Sequence, residues 1–80
     1  MALVAIPANQ WVAVVTTTGN TIVQNMDSHY PIYISTEDTT GDPLTNGILL
    51  PPNAAITFGT GISVSASSVN RPGIVSYQGS

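Results

Sequence analysis

The chain has no cysteine, no lysine and a single arginine, Arg71, among its 80 residues. Each shortage closes off a class of function. Without cysteine there is no disulfide framework, no thiolate metal site and no thiol nucleophile. One arginine cannot supply the basic footprint that displaces counterions from phosphate, so no nucleic-acid partner is expected. No apolar run approaches the roughly 20 residues that a spanning helix needs, so no membrane partner is expected. The apolar start, Met1 to Ile6, lacks a positive flank and stops at Pro7, which does not read as a secretory leader. Runs of Glu, Lys, Leu, Gln and Arg, the residues that favour helices, are missing as well.

What is present is apolar and hydroxylated. Hydrophobic residues make up 42% of the chain, beside ten Thr and eight Ser, and the net charge is only -3. That balance predicts a folded domain, since disordered chains are charged and poor in apolar residues. Eighty residues allow one domain. In so short a chain the gain from burial and the cost of ordering nearly cancel, which makes association the expected further source of stability.

β-Branched residues dominate, and turn residues recur every several positions. The pattern predicts an all-β fold: a small antiparallel β-sandwich or partly open barrel of about six to seven short strands. A first strand is expected over Gln10 to Thr18, with Trp11, Ala13 and Val15 on one face and Val12, Val14 and Thr16 on the other. Both faces are largely apolar, so cover on both sides is expected. Gly19-Asn20 is a two-residue turn signal, which predicts a hairpin with Thr21 to Asn25. Tyr30 to Ser35, Ile48 to Leu50, Ala54 to Phe58, a strand with Ile62, Val64 and Ala66 inward and Ser63, Ser65 and Ser67 outward, and Ile74 to Gln78 complete the set. Gly59-Thr60-Gly61 reads as a hairpin turn. Residues 1–9 stand outside this series as an extended arm, and residues 10–80 form the β domain. An exposed apolar arm needs a partner; either it docks on its own domain or it reaches a neighbouring chain. In the second case its deletion would leave a folded domain unable to bind.

Chemistry is sparse. Asp27-Ser28-His29 holds the residue types of a hydrolytic relay, but adjacent side chains point apart, whereas base and nucleophile must lie within hydrogen-bond reach. Glu37, Asp38 and Asp42, in the loop 36–46, offer oxygen ligands for Ca²⁺ at a spacing that matches no EF-hand. Gly59-Thr60-Gly61 has no following helix to complete a phosphate cradle. No enzyme, cofactor or metal centre is therefore expected. Among the aromatics, Trp11 and Phe58 suit core or interface packing, while Tyr33 and Tyr77 are read as outward-facing and able to line a sugar site.

Beyond composition, the order of several segments carries a resemblance. Asn20-Thr21-Ile22-Val23-Gln24-Asn25 is followed by Pro31-Ile32-Tyr33-Ile34. Then come Gly47-Ile48-Leu49-Leu50-Pro51-Pro52-Asn53-Ala54-Ala55-Ile56-Thr57-Phe58, Ile62-Ser63-Val64-Ser65-Ala66-Ser67-Ser68 and a closing Ile74-Val75-Ser76-Tyr77. The series resembles small β-rich virion structural proteins of tailed bacteriophages, of the capsid decoration or cement kind. It covers roughly residues 20 to 78. Asn53-Ala54 stands where that group has Gly-Glu, and the N-terminal piece, Met1 to Thr18, is not part of the shared pattern. The resemblance implies a mechanical role on the outside of a phage head, bridging subunits of the major capsid protein or binding another virion protein, often as a trimer. It carries over no catalytic or ligand residue. The contact residues expected here are the arm, Leu3, Val4, Ile6 and Pro7, together with Trp11. The alternative is a fibre, spike or tail module that binds carbohydrate.

Overall fold

Val, Ile and Thr fill short extended segments, and Asn, Gly and Pro separate them, so the described residues form strands and no helix. A computed structural model describes residues 1–36 and 47–79. It has eight strands: β1 (Ala2–Ile6), β2 (Trp11–Thr16), β3 (Thr21–Asn25), β4 (Ile32–Ser35), β5 (Ile48–Leu50), β6 (Ala55–Phe58), β7 (Ser63–Ser67) and β8 (Gly73–Gly79). They form two four-stranded sheets, ordered β1-β8-β3-β6 and β2-β7-β4-β5. Every named pairing is antiparallel. The result is a β-sandwich rather than a closed barrel, and its strand order is that of an eight-stranded jelly roll.

The expected hairpin across Gly19-Asn20 does not form. β2 pairs with β7 in one sheet, and β3 pairs with β8 and β6 in the other. Gly59-Thr60-Gly61 likewise joins strands of opposite sheets. Both turns lie at one end of the sandwich, and Thr17 fastens them together. Its N–H donates to the Ile62 carbonyl, its own carbonyl accepts from the Gly61 N–H, and its buried hydroxyl donates to the Gly59 carbonyl while accepting from the Ile62 N–H. The turn signal was real, but these bonds turn the chain into the opposite layer instead of back along the same one. Replacing Thr17 with isosteric Val should cost about 2 kcal/mol, because both partners of the hydroxyl lose a buried bond. In a domain of this size that lowers Tm by roughly 10 °C. A thermal melt unchanged from the parent would show that the clasp contributes nothing.

The core lies between the sheets. Ile6, Val23 and Val75 from one layer meet Val14, Ile32, Ile34, Leu50, Val64 and Ala66 from the other. The layers approach closely at Gly73, where an added Cβ would collide with Ile32 Cδ1 of the facing sheet. β2, expected to be covered on both faces, is covered mainly on its core side: Val14 is buried and Ala13 is exposed. A bulge between Ala13 and Val15 shifts the register there, which brings Val15 opposite Val64.

Of the two alternatives for the N-terminal segment, docking on its own domain is the one realised. β1 pairs along its length with β8, from Ala2 opposite Tyr77 to Ile6 opposite Gly73. Ile6 is 0% exposed. Beyond the strand, Asn9 takes left-handed backbone (φ 60°), its N–H donates to the Ser68 carbonyl, and its side-chain oxygen accepts from the Asn70 N–H. Removing residues 1–9 would therefore open the core, so point variants are the better probe of this segment. Asn53 also sits at positive φ (62°). Asn tolerates this conformation better than most side chains do.

Candidate functional site

Period-2 alternation divides the β1-β8-β3-β6 sheet cleanly. Val4, Ile6, Val23 and Val75 turn toward the core, leaving Leu3 and Ala5 of β1 and Ile74 of β8 on the outer face. Met26, just after β3, donates its N–H to the Ile74 carbonyl and brings its side chain alongside. Leu3, Ile74 and Met26 are 64%, 46% and 42% exposed. Ala5, Met26, Asp27, Pro72, Gly73 and Ile74 line a shallow hollow in this surface. Neither β1 nor β8 holds a charged residue. The outer face of this sheet is thus apolar near one edge and is the candidate site.

One end of the surface is rimmed by the connection between β3 and β4. Arg71, the sole side-chain cation, places its guanidinium 3.5 Å from the centroid of the exposed Tyr30 ring. Such stacking holds a flexible cation in place. Asp27 orders the loop by accepting the N–H groups of His29 (2.8 Å) and Tyr30 (3.2 Å) on one carboxylate oxygen. Ser28 Oγ lies 2.8 Å from His29 Nδ1, so these neighbours do meet, contrary to the expectation that adjacent side chains point apart. The pair is exposed, and Asp27 Oδ1 bonds the backbone of the turn.

The contact residues expected from the sequence are dispersed. Leu3 lies on the candidate surface. Val4 and Ile6 belong to the core side of β1, and Pro7 is exposed at the turn that follows. Trp11 is on the other sheet, in an outward cross-strand row with Ser67, Tyr33 and Leu49. Tyr33 faces outward as expected. Tyr77 does not: it stands in register with Val23 and packs against the core, because it shares a face with Val75. The two tyrosines line no common site. Ser67, expected outward, is outward but 0% exposed, between Trp11 and Tyr33, with its hydroxyl unpartnered. Phe58 packs against the core.

Ile74 and Met26 escaped the sequence reading. The alternation of Ile74 and Ser76 against Val75 and Tyr77 held the signal for Ile74, since one apolar residue in such a strand must face away from the core. Among the described residues no three metal-ligating side chains gather, and no helix is long and apolar enough to cross a membrane. Glu37, Asp38 and Asp42 lie outside the described residues. Comparison of the chain with protein-family models, with curated proteins and with solved structures found no match.

Proposed function

We propose that this chain is a virion structural protein that decorates the outside of a phage head, docking on the major capsid protein through the apolar outer face of the β1-β8-β3-β6 sheet. One observation carries the reading: near the β1 edge of this uncharged sheet face Leu3, Ala5, Ile74 and Met26 stand exposed together, with the polar Gln78 and Thr57 farther along and across it. Contiguous exposed apolar surface marks interaction sites. The serine- and threonine-rich composition supports it, because few long charged side chains must be ordered on contact. A repeating lattice then multiplies modest single contacts into stable coverage. Jelly rolls occur in viral capsid and lectin domains, but a fold does not itself specify a function, so the sheet face bears the weight.

The test is co-sedimentation with purified heads of the phage that encodes the protein. Saturable binding is expected, changing less than about threefold between roughly 50 and 200 mM salt, because so few charges can be screened. Absence of binding, or a steep loss with salt, would reject the reading.

The row Trp11, Ser67 and Tyr33 favours a second reading, a saccharide-binding fibre or tail module. Trp11 and Tyr33, on either side of Ser67 in neighbouring strands, offer two aromatic stacking faces on one sheet surface. A saccharide titration followed by NMR should then shift Trp11 and Tyr33 resonances selectively; an unperturbed spectrum would dismiss it.

A further inference from the structure

We infer that β1 is a self-pairing edge, through which two copies of the chain join their β1-β8-β3-β6 sheets about a two-fold axis at Val4. The inference concerns the free protein and stands apart from the reading of shell decoration.

A sheet edge presents unpaired N–H and C=O groups, and proteins ordinarily blunt it by shortness, charge, proline or a bulge. Two of the other three edges carry such devices. β2 has its bulge between Ala13 and Val15, and β5 is only three residues long. β6 is four residues long, between Ala54 and Gly59. β1 has five residues in unbroken register, without charge, proline or bulge.

The hydrogen bonds of the sheet say which groups are offered. Met26 N–H donates to the Ile74 carbonyl, while Asn25 N–H turns the other way, to the Ala54 carbonyl. Ile74 therefore directs its backbone toward β3. By the alternation of an antiparallel ladder, Val75 directs its own toward β1, where it pairs with Val4. Leu3 and Ala5 are left with N–H and C=O groups pointing out of the sheet. An antiparallel copy centred on Val4 sets Leu3 opposite the partner's Ala5 at both hydrogen-bonding positions, about four main-chain bonds in all.

Side-chain shape fits the same axis. Leu3 meets the smaller Ala5 on the outer face, large against small. On the inner side Val4 meets the partner's Val4 at a non-hydrogen-bonded position, with Cα atoms about 4.5 Å apart. The contact is isologous, so each copy supplies what the other needs. No carboxylate lies on β1 or β8 to repel at the seam, although each copy carries a net charge of -3.

The chain has no cysteine of its own, which makes the test direct. Light scattering should show wild-type mass rising from one copy to two with concentration. Under mild oxidation Val4→Cys should crosslink to a covalent dimer at least about tenfold faster than Leu3→Cys, because only residue 4 faces its own copy within disulfide range. Leu3→Pro, which removes an outward N–H and leaves the pairing with β8 intact, should weaken self-association by more than about a hundredfold. A wild-type monomer at about 1 mM, a concentration at which even a weak edge contact would populate the dimer, overturns the inference. So does equal crosslinking of the two cysteine variants. The cysteine pair decides the axis even if Leu3→Pro does not fold.

Discussion

Asn25→Leu should lower the unfolding free energy by about 3–5 kcal/mol, enough to leave the domain largely unfolded under mild conditions. Asn25 is 0% exposed, at the end of β3 on its core face. Its Nδ2 donates to the carbonyls of Tyr30 (2.9 Å), Leu50 (3.1 Å) and Pro51 (3.3 Å), and its Oδ1 accepts from the Asp27 N–H (2.9 Å). A side chain of one sheet thus holds backbone at the start of β4 and the end of β5, in the other. Leucine fills a similar volume but takes the amide partner from the buried Leu50 carbonyl and from the part-buried Tyr30 carbonyl and Asp27 N–H, while the Pro51 carbonyl keeps the Ala54 N–H; a buried polar group so orphaned costs about 1–3 kcal/mol. A domain of this length has roughly 4–12 kcal/mol of stability to lose. Gln24→Leu is the matched control. Its side chain bonds the Asn53 carbonyl at an exposed site, and the expected loss is under about 1 kcal/mol. Urea denaturation compares the two; equal midpoints would mean that the buried amide is not what holds the layers.

The second large effect is on binding. Leu3→Asp combined with Ile74→Asp should reduce head binding by more than about a hundredfold while leaving the far-UV spectrum unchanged. Burying an exposed Leu or Ile contributes about 1.5–3 kcal/mol, and each 1.4 kcal/mol is tenfold in affinity. Both side chains project away from the core, so the folded state loses little beyond the poorer strand preference of Asp. Ile74→Asp alone separates the two surfaces. It lies one strand in from the edge, so it should impair head binding and leave β1 self-pairing in place. Undiminished head occupancy by the double variant would refute this face as the contact.

Much of the fold was legible because strands announce themselves by composition and alternation. Ile62, Val64 and Ala66 fall on the core side that their spacing predicts. Pairing was less legible. Gly19-Asn20 looks like a hairpin turn, yet nothing local reports that Thr17 will clasp the Gly59–Ile62 segment, far along the chain, and send the chain across to the second layer. The candidate site was half visible. Leu3 stood out as an apolar residue near the start of the chain, whereas Ile74 and Met26 become neighbours of it only once β1 lies on β8. Asn25 was hidden for the same reason: its role depends on carbonyls supplied from β4 and β5.

The pairing of β1 with β8 has a consequence for biosynthesis. Of the eight strands, the first to leave the ribosome must wait for the last before its ladder can form, and β3 also waits for β6 and β8. Such non-local closure makes folding slow compared with a meander of the same length. Until β8 emerges, the nascent Ala-Leu-Val-Ala-Ile segment is an unpaired apolar strand, the kind of segment that draws neighbouring chains on a polysome into aggregation.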